Sequence, residues 1–83
     1  MSYTVTWTPE ARARLADIWL EGPNRDRISK AAHQIDEILR ASGTAQAAFL
    51  HEGLWAIQIV PLSVVFSVSE PDRMIEVSFV RQV

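Results

Sequence analysis

Four small groups of side chains in this 83-residue chain could do chemistry. His51 and Glu52 form an adjacent acid–base couple just ahead of an apolar stretch. Neighbouring residues on a strand point to opposite faces, so a solvated connector explains the couple better than a site. His33 and Glu37 have a helical spacing that can hold a metal. Two ligands do not close a metal site, and both lie off the apolar stripe of their segment, so no metal is expected. Arg12, Arg14, Arg25 and Arg27 could gather around a phosphate near a helix–helix turn. Glu10, Asp17, Glu21 and Asp26 interleave with them, which describes a mixed solvated surface. Ser63, Ser67 and Ser78 have no histidine placed by the sequence to activate them, and read as polar outer-face strand residues. No catalytic residue and no cofactor is assigned.

The elements that must position these groups follow from periodicity. Tyr3, Val5 and Trp7 alternate with Thr4 and Thr6 in a short strand over residues 3–7. Thr8-Pro9-Glu10 then opens a helix: Thr can cap it, Pro suits the first helical position, and Glu favours the positive end of the dipole. Ala11, Leu15, Ile18 and Trp19 make its buried stripe, and Gly22-Pro23 stops it. A second helix starts near Asn24–Asp26, with Ile28, Ala31, Ala32, Ile35, Ile38 and Leu39 inward and Gly43 as its stop. Asp26 with Lys30, and Asp36 with Arg40, are acid-first pairs at the favourable spacing. Residues 44–53 are a connector in which Phe49 and Leu50 either begin a strand or pack beneath the loop.

From Leu54 to Val80 the chain reads as three strands with turns at Pro61-Leu62 and at Glu70–Arg73. Trp55, Ile57, Ile59, Val64, Phe66, Val68, Ile75, Val77 and Phe79 recur at every second position and define a buried face. The opposite face carries Ala56, Gln58, Ser63, Ser67, Glu76 and Ser78. The order β-α-α-β-β-β gives an α+β domain over residues 1–83, an antiparallel sheet with a helical hairpin packed on one face. Trp7, Trp19 and Trp55 each fall in the apolar phase of their element and are assigned to the core. Leu20, off the main helical stripe, and Val60 and Val65, on the open sheet face, are assigned to partner binding.

Composition narrows the function. The chain carries eight Lys and Arg against ten Asp and Glu, a net charge of −2. Nucleic-acid binders draw affinity from a surplus of cations, so direct nucleic-acid binding is not expected. There is no Cys, hence no disulfide framework and no thiolate metal site. The N-terminus lacks a basic stretch followed by an apolar run, and no apolar stretch reaches membrane-spanning length. A cytoplasmic protein without membrane contact is expected, and a chain this short gains stability from a partner or a homodimer.

The segment YTVTWTPEARARLADIW resembles the opening of RelE/ParE superfamily toxins, where a strand ending in an aromatic-x-Pro/Asp-x-Ala phrase leads into the first helix. GLWAIQIVPLSVVFSV resembles the family's central hairpin, and MIEVSFVRQV its last strand. The resemblance covers essentially the whole chain. It implies the toxin component of a bacterial type II toxin–antitoxin pair, of the kind also called plasmid stabilisation proteins. RelE-like members cut messenger RNA on the ribosome, ParE-like members inhibit DNA gyrase, and an antitoxin with a disordered tail that folds on binding restrains both.

The chain departs from the RNA-cutting pattern where the chemistry would lie. Ser63 stands where the family's hairpin commonly has Arg, and Ala56 and Gln58 stand where RNA-cutting members carry Lys or Arg. Many active members continue past the last strand with basic residues and a Tyr, whereas this sequence stops at Val83. Cutting RNA through its 2′-hydroxyl needs a base, an acid and a cation for the crowded phosphate. Arg12, Arg14, Arg25, Arg27, Lys30 and Arg40 belong to the helices, leaving only Arg73 and Arg81 for the sheet layer. Ser63, Arg73, Arg81 and His51 are what remains of a polar or basic site. The expectation is a toxin-type module that acts through protein binding, with an antitoxin as partner and DNA gyrase as a candidate target. The alternatives are a ribosome-dependent messenger RNase using Arg81, Arg73 or His51, and a non-toxic orphan interaction module.

Overall fold

The computed structural model describes residues 2–83. Strand β1 (Thr4–Trp7) leads through Thr8 into helix α1 (Pro9–Glu21). The Thr8 hydroxyl accepts a hydrogen bond from the Ala11 amide at 3.1 Å, and Pro9 occupies the first turn, where its missing N–H costs nothing. After Gly22, helix α2 (Arg25–Ser42) runs back along α1 and ends at Gly43, whose N–H bonds the Leu39 carbonyl at 3.0 Å. Asp36 and Arg40 close an ion pair at 2.6 Å, while Asp26 and Lys30 do not pair. Four strands follow: β2 (Ala48–His51), β3 (Leu54–Ile59), β4 (Leu62–Ser69) and β5 (Met74–Gln82).

These form one five-stranded sheet in the order β1-β5-β4-β3-β2. The helical hairpin covers one face, as the α+β reading requires. Ile18 from α1 and Ile28, Ile35 and Leu39 from α2 pack on Val64, Phe66, Ile75 and Val77 from the sheet. Two features of the sheet differ from the sequence reading. It is mixed rather than wholly antiparallel: β1 pairs parallel with β5, Thr4 opposite Met74 and Trp7 opposite Val77. Short links fix antiparallel pairing only between strands adjacent in sequence, and β1 and β5 lie at opposite ends of the chain. Within the connector, residues 48–51 form a strand, β2, joined to β3 by Glu52 and Gly53; Gly53 takes φ 85°, which suits glycine.

Two aromatic residues leave the positions that periodicity assigns them. Trp19 sits at the surface, 37% exposed, rather than in the core. Its indole N–H donates to the Ser29 hydroxyl at 3.0 Å, and the Arg25 guanidinium lies 4.7 Å from its ring centroid. An indole with a hydrogen-bond partner and a covering cation is stable half out of the core. Phe79 is 51% exposed, and Val80 takes its place inside. The cause is a β-bulge: Val65 pairs with Phe79 and Phe66 with Val77, so Ser78 is an extra residue in β5. One extra residue inverts the facing of everything after it.

The end of the sheet where β1 and β5 begin is held by a compact cluster. The Tyr3 amide donates to the Arg40 carbonyl at 2.8 Å, tying β1 to the end of α2. The Tyr3 hydroxyl lies 3.0 Å from both Glu70 carboxylate oxygens. The Arg73 guanidinium stacks 4.2 Å from the Tyr3 ring centroid. Gly43 fits against the same ring: a Cβ there would lie 2.7 Å from Tyr3 Cε1.

Candidate functional site

The helices leave the other face of the sheet uncovered, and strand register places its side chains in rows. One row is apolar: Ala48 opposite Ala56, Ala56 opposite Val65, and Val65 opposite Phe79. Next to it runs a polar row, Gln58 opposite Ser63 and Ser63 opposite Arg81. On the other side of the apolar row, Ser67 faces Glu76, which faces Thr6 of β1. The bulge at Ser78 builds this arrangement, because without it Phe79 and Arg81 would point toward the helices. The Ser78 hydroxyl donates to the Val65 carbonyl at 3.4 Å across the irregular step.

Of the residual site residues, the register brings Ser63 and Arg81 together and separates the other two. Arg73 precedes β5 and Arg81 lies near its end, roughly 25 Å away at the rise of a strand. Arg73 is also engaged: φ is 52°, its amide bonds the Glu70 carbonyl and its carbonyl accepts from Thr4. His51 pairs with Leu54, four positions along β3 from Gln58 and so roughly 13 Å from the Arg81 row. Among the described residues Arg81 is therefore the one cation on the open face, and the remaining cations sit on α1, on α2 or against Tyr3.

This arrangement can hold an anionic group but lacks the parts for acid–base chemistry on a phosphodiester. A guanidinium, a hydroxyl and an amide in one row can grip a carboxylate. No histidine or carboxylate shares that row, and Glu76 lies two rows away, beyond Phe79. His33 and Glu37 bond each other at 2.7 Å on the exposed side of α2. No cluster of three or more metal-ligating side chains occurs among the described residues. Among the described residues no helix is long and apolar enough to cross a membrane.

The residues assigned to partner binding occupy three places. Val65 lies in the apolar row of the open face. Val60 is 59% exposed at the tip of the β3–β4 turn, beside the sheet face rather than on it. Leu20 is 60% exposed on the outer side of α1. The sequence reading missed Phe79, the largest side chain of the open face. Its only sequence signal is the phrase Ser78-Phe79-Val80, in which either apolar residue can fill the core.

By sequence, no family model and no curated protein matches the chain. By structure, the RelBE2 toxin–antitoxin complex from Mycobacterium tuberculosis contains a chain similar over 100% of this one and 93% of its own length, with a TM-score of 0.82 and 15% identity. The archaeal RelE–RelB complex from Pyrococcus horikoshii is similar over 99% and 96%, with a TM-score of 0.70 and 15% identity. The chromosomal ParDE system of P. aeruginosa is similar over 98% and 96%, with a TM-score of 0.70 and 18% identity. At these identities the likeness establishes the fold: two helices on a five-stranded sheet, as in RelE/ParE toxins.

Proposed function

We propose that this chain is the toxin-type component of a type II toxin–antitoxin pair and that it acts by binding protein rather than by cutting RNA. One observation carries the reading: the open face presents an apolar row ending in Phe79, with a single cation, Arg81, beside it. A row crossing four strands is roughly 14 Å long at the usual strand spacing, enough for two to three turns of an amphipathic helix. Glu76 on one side and Arg81 on the other select a helix with a basic and an acidic flank. The antitoxin is the first partner for this surface, with Val65 and Phe79 as its anchors. DNA gyrase is the first candidate target.

The experiment is expression of the chain alone and together with the product of the neighbouring reading frame, scored by growth and by gyrase supercoiling assays. Growth arrest relieved by co-expression, with supercoiling inhibited by the purified chain, supports the proposal. Unimpaired growth at high expression removes the toxin reading and leaves a non-toxic interaction module. The second reading is a ribosome-dependent messenger RNase, favoured by the pairing of Arg81 with Ser63. Ribosome-coupled cleavage that disappears in Arg81→Ala would replace the protein-binding proposal with that one.

A further inference from the structure

The two edges of the sheet are finished differently. At β1, Val5 and Trp7 are half-buried, Thr4 and Thr6 supply the other face, and the Tyr3 amide is already bonded to α2. At β2, all four residues are exposed, and Phe49 and Leu50 keep 61% and 48% of their surface in solvent. Phe49 meets Trp55 edge-on, ring centroids 5.4 Å apart, so one side of the ring is supported and the other is bare. The outer backbone edge of β2 has no ladder partner among the described residues. It carries neither the Lys nor the Pro that commonly guard such an edge.

We infer that β2 is the contact through which two copies of this chain associate, strand against strand around a two-fold axis. Charge along the segment favours a second copy as occupant. Residues 44–50 carry no charge, and Glu52 is the only acid from 44 to 52. For any two-fold axis within Ala48–His51, Glu52 of one copy falls opposite an uncharged residue of the other. No register places like charges together, which is what an isologous strand pair requires. Each Phe49 then loses its bare side to the other copy. The bulge at Leu50 limits the pairing to a few residues. The contact is thus smaller than the roughly 1,200 Å² of a standard interface, and the dimer is weak, micromolar or above.

The test uses the purified chain alone, and its outcome is independent of toxicity or antitoxin binding. Sedimentation across a hundredfold range of concentration should show reversible dimerisation, abolished by Phe49→Lys and unchanged by Phe79→Lys. Because the chain has no Cys, Ala48→Cys and Ala13→Cys each provide a single thiol. A short bismaleimide should link the first and not the second. A monomer at every concentration, association that survives Phe49→Lys, or efficient linking at residue 13 would overturn the inference. The first of these would leave β2 to the strand of another protein.

Discussion

The two faces of this sheet are built from the same strands and obey different rules. The covered face is filled by side chains of one kind, each with almost no surface in water: Val64, Phe66, Ile75, Val77 and Val80. The open face is heterogeneous, with an apolar row that ends in the half-exposed Phe79 between two polar rows, whereas Phe49, exposed at the β2 edge, lies on the helix side of the sheet against Trp55. Stability therefore concentrates on the covered face, and recognition has the open face and its β2 edge to work with. Phe79, 51% exposed, does not stand alone there but continues the apolar row of Ala56 and Val65.

Substitutions can break that division. The largest effect is expected from Phe66→Ala, a fully buried ring under both helices, which should cost about 3–5 kcal/mol in chemical denaturation. Phe79→Ala in the same assay should change stability by less than about 0.5 kcal/mol; equal losses at the two sites would abolish the distinction. If the proposed antitoxin contact holds, the effects should reverse in a binding assay, where Phe79→Ala is expected to weaken affinity by roughly thirtyfold or more, the range of an aromatic anchor. Next in size is Gly43→Ala. The backbone there has φ 60° and the new Cβ would press on Tyr3, so a loss of about 1–3 kcal/mol is expected with the open face unaffected. The smallest effect concerns Tyr3, the only tyrosine. Its hydrogen bond to the Glu70 carboxylate holds its pKa above 10.0, with desolvation adding and Arg73 opposing. A folded pKa above the unfolded one means that the bond stabilises fully below pH 10 and is lost as pH rises through the folded value. Phenolate absorbance should show a midpoint above 10 in the native protein that falls in Glu70→Ala.

How much of this was legible in the sequence depends on whether the information was local. Thr8, Pro9 and Gly43 marked the helix ends because caps depend on neighbouring residues. The period of two marked the strands, and Val64, Phe66, Ile75 and Val77 were placed on the correct face. The parallel partner of β1 was not legible, because no local feature links residues 4–7 to residues 74–77. Strand β2 is four residues long, and its signals were Phe49, Leu50 and Gly53. Trp19 has core spacing, yet Ser29 and Arg25 hold it at the surface from the next helix. At the site, the scarcity of cations on the sheet could be counted directly from the sequence. That Ser63 meets Arg81, while Arg73 and His51 meet neither, required the register.

The surplus residue at Ser78 makes the outer surface of β5 a matter of parity. Pairing β5 straight through that step, with Ser78 kept and no bulge, would exchange Phe79 with Val80, and Arg81 with Gln82, between the two faces without altering a letter of the chain. Two proteins of this architecture, one with the bulge and one without, therefore need strands that differ by one residue at that step to present the same later side chains on the same faces. An alignment drawn without a gap at that step would compare buried positions with exposed ones along the rest of the strand.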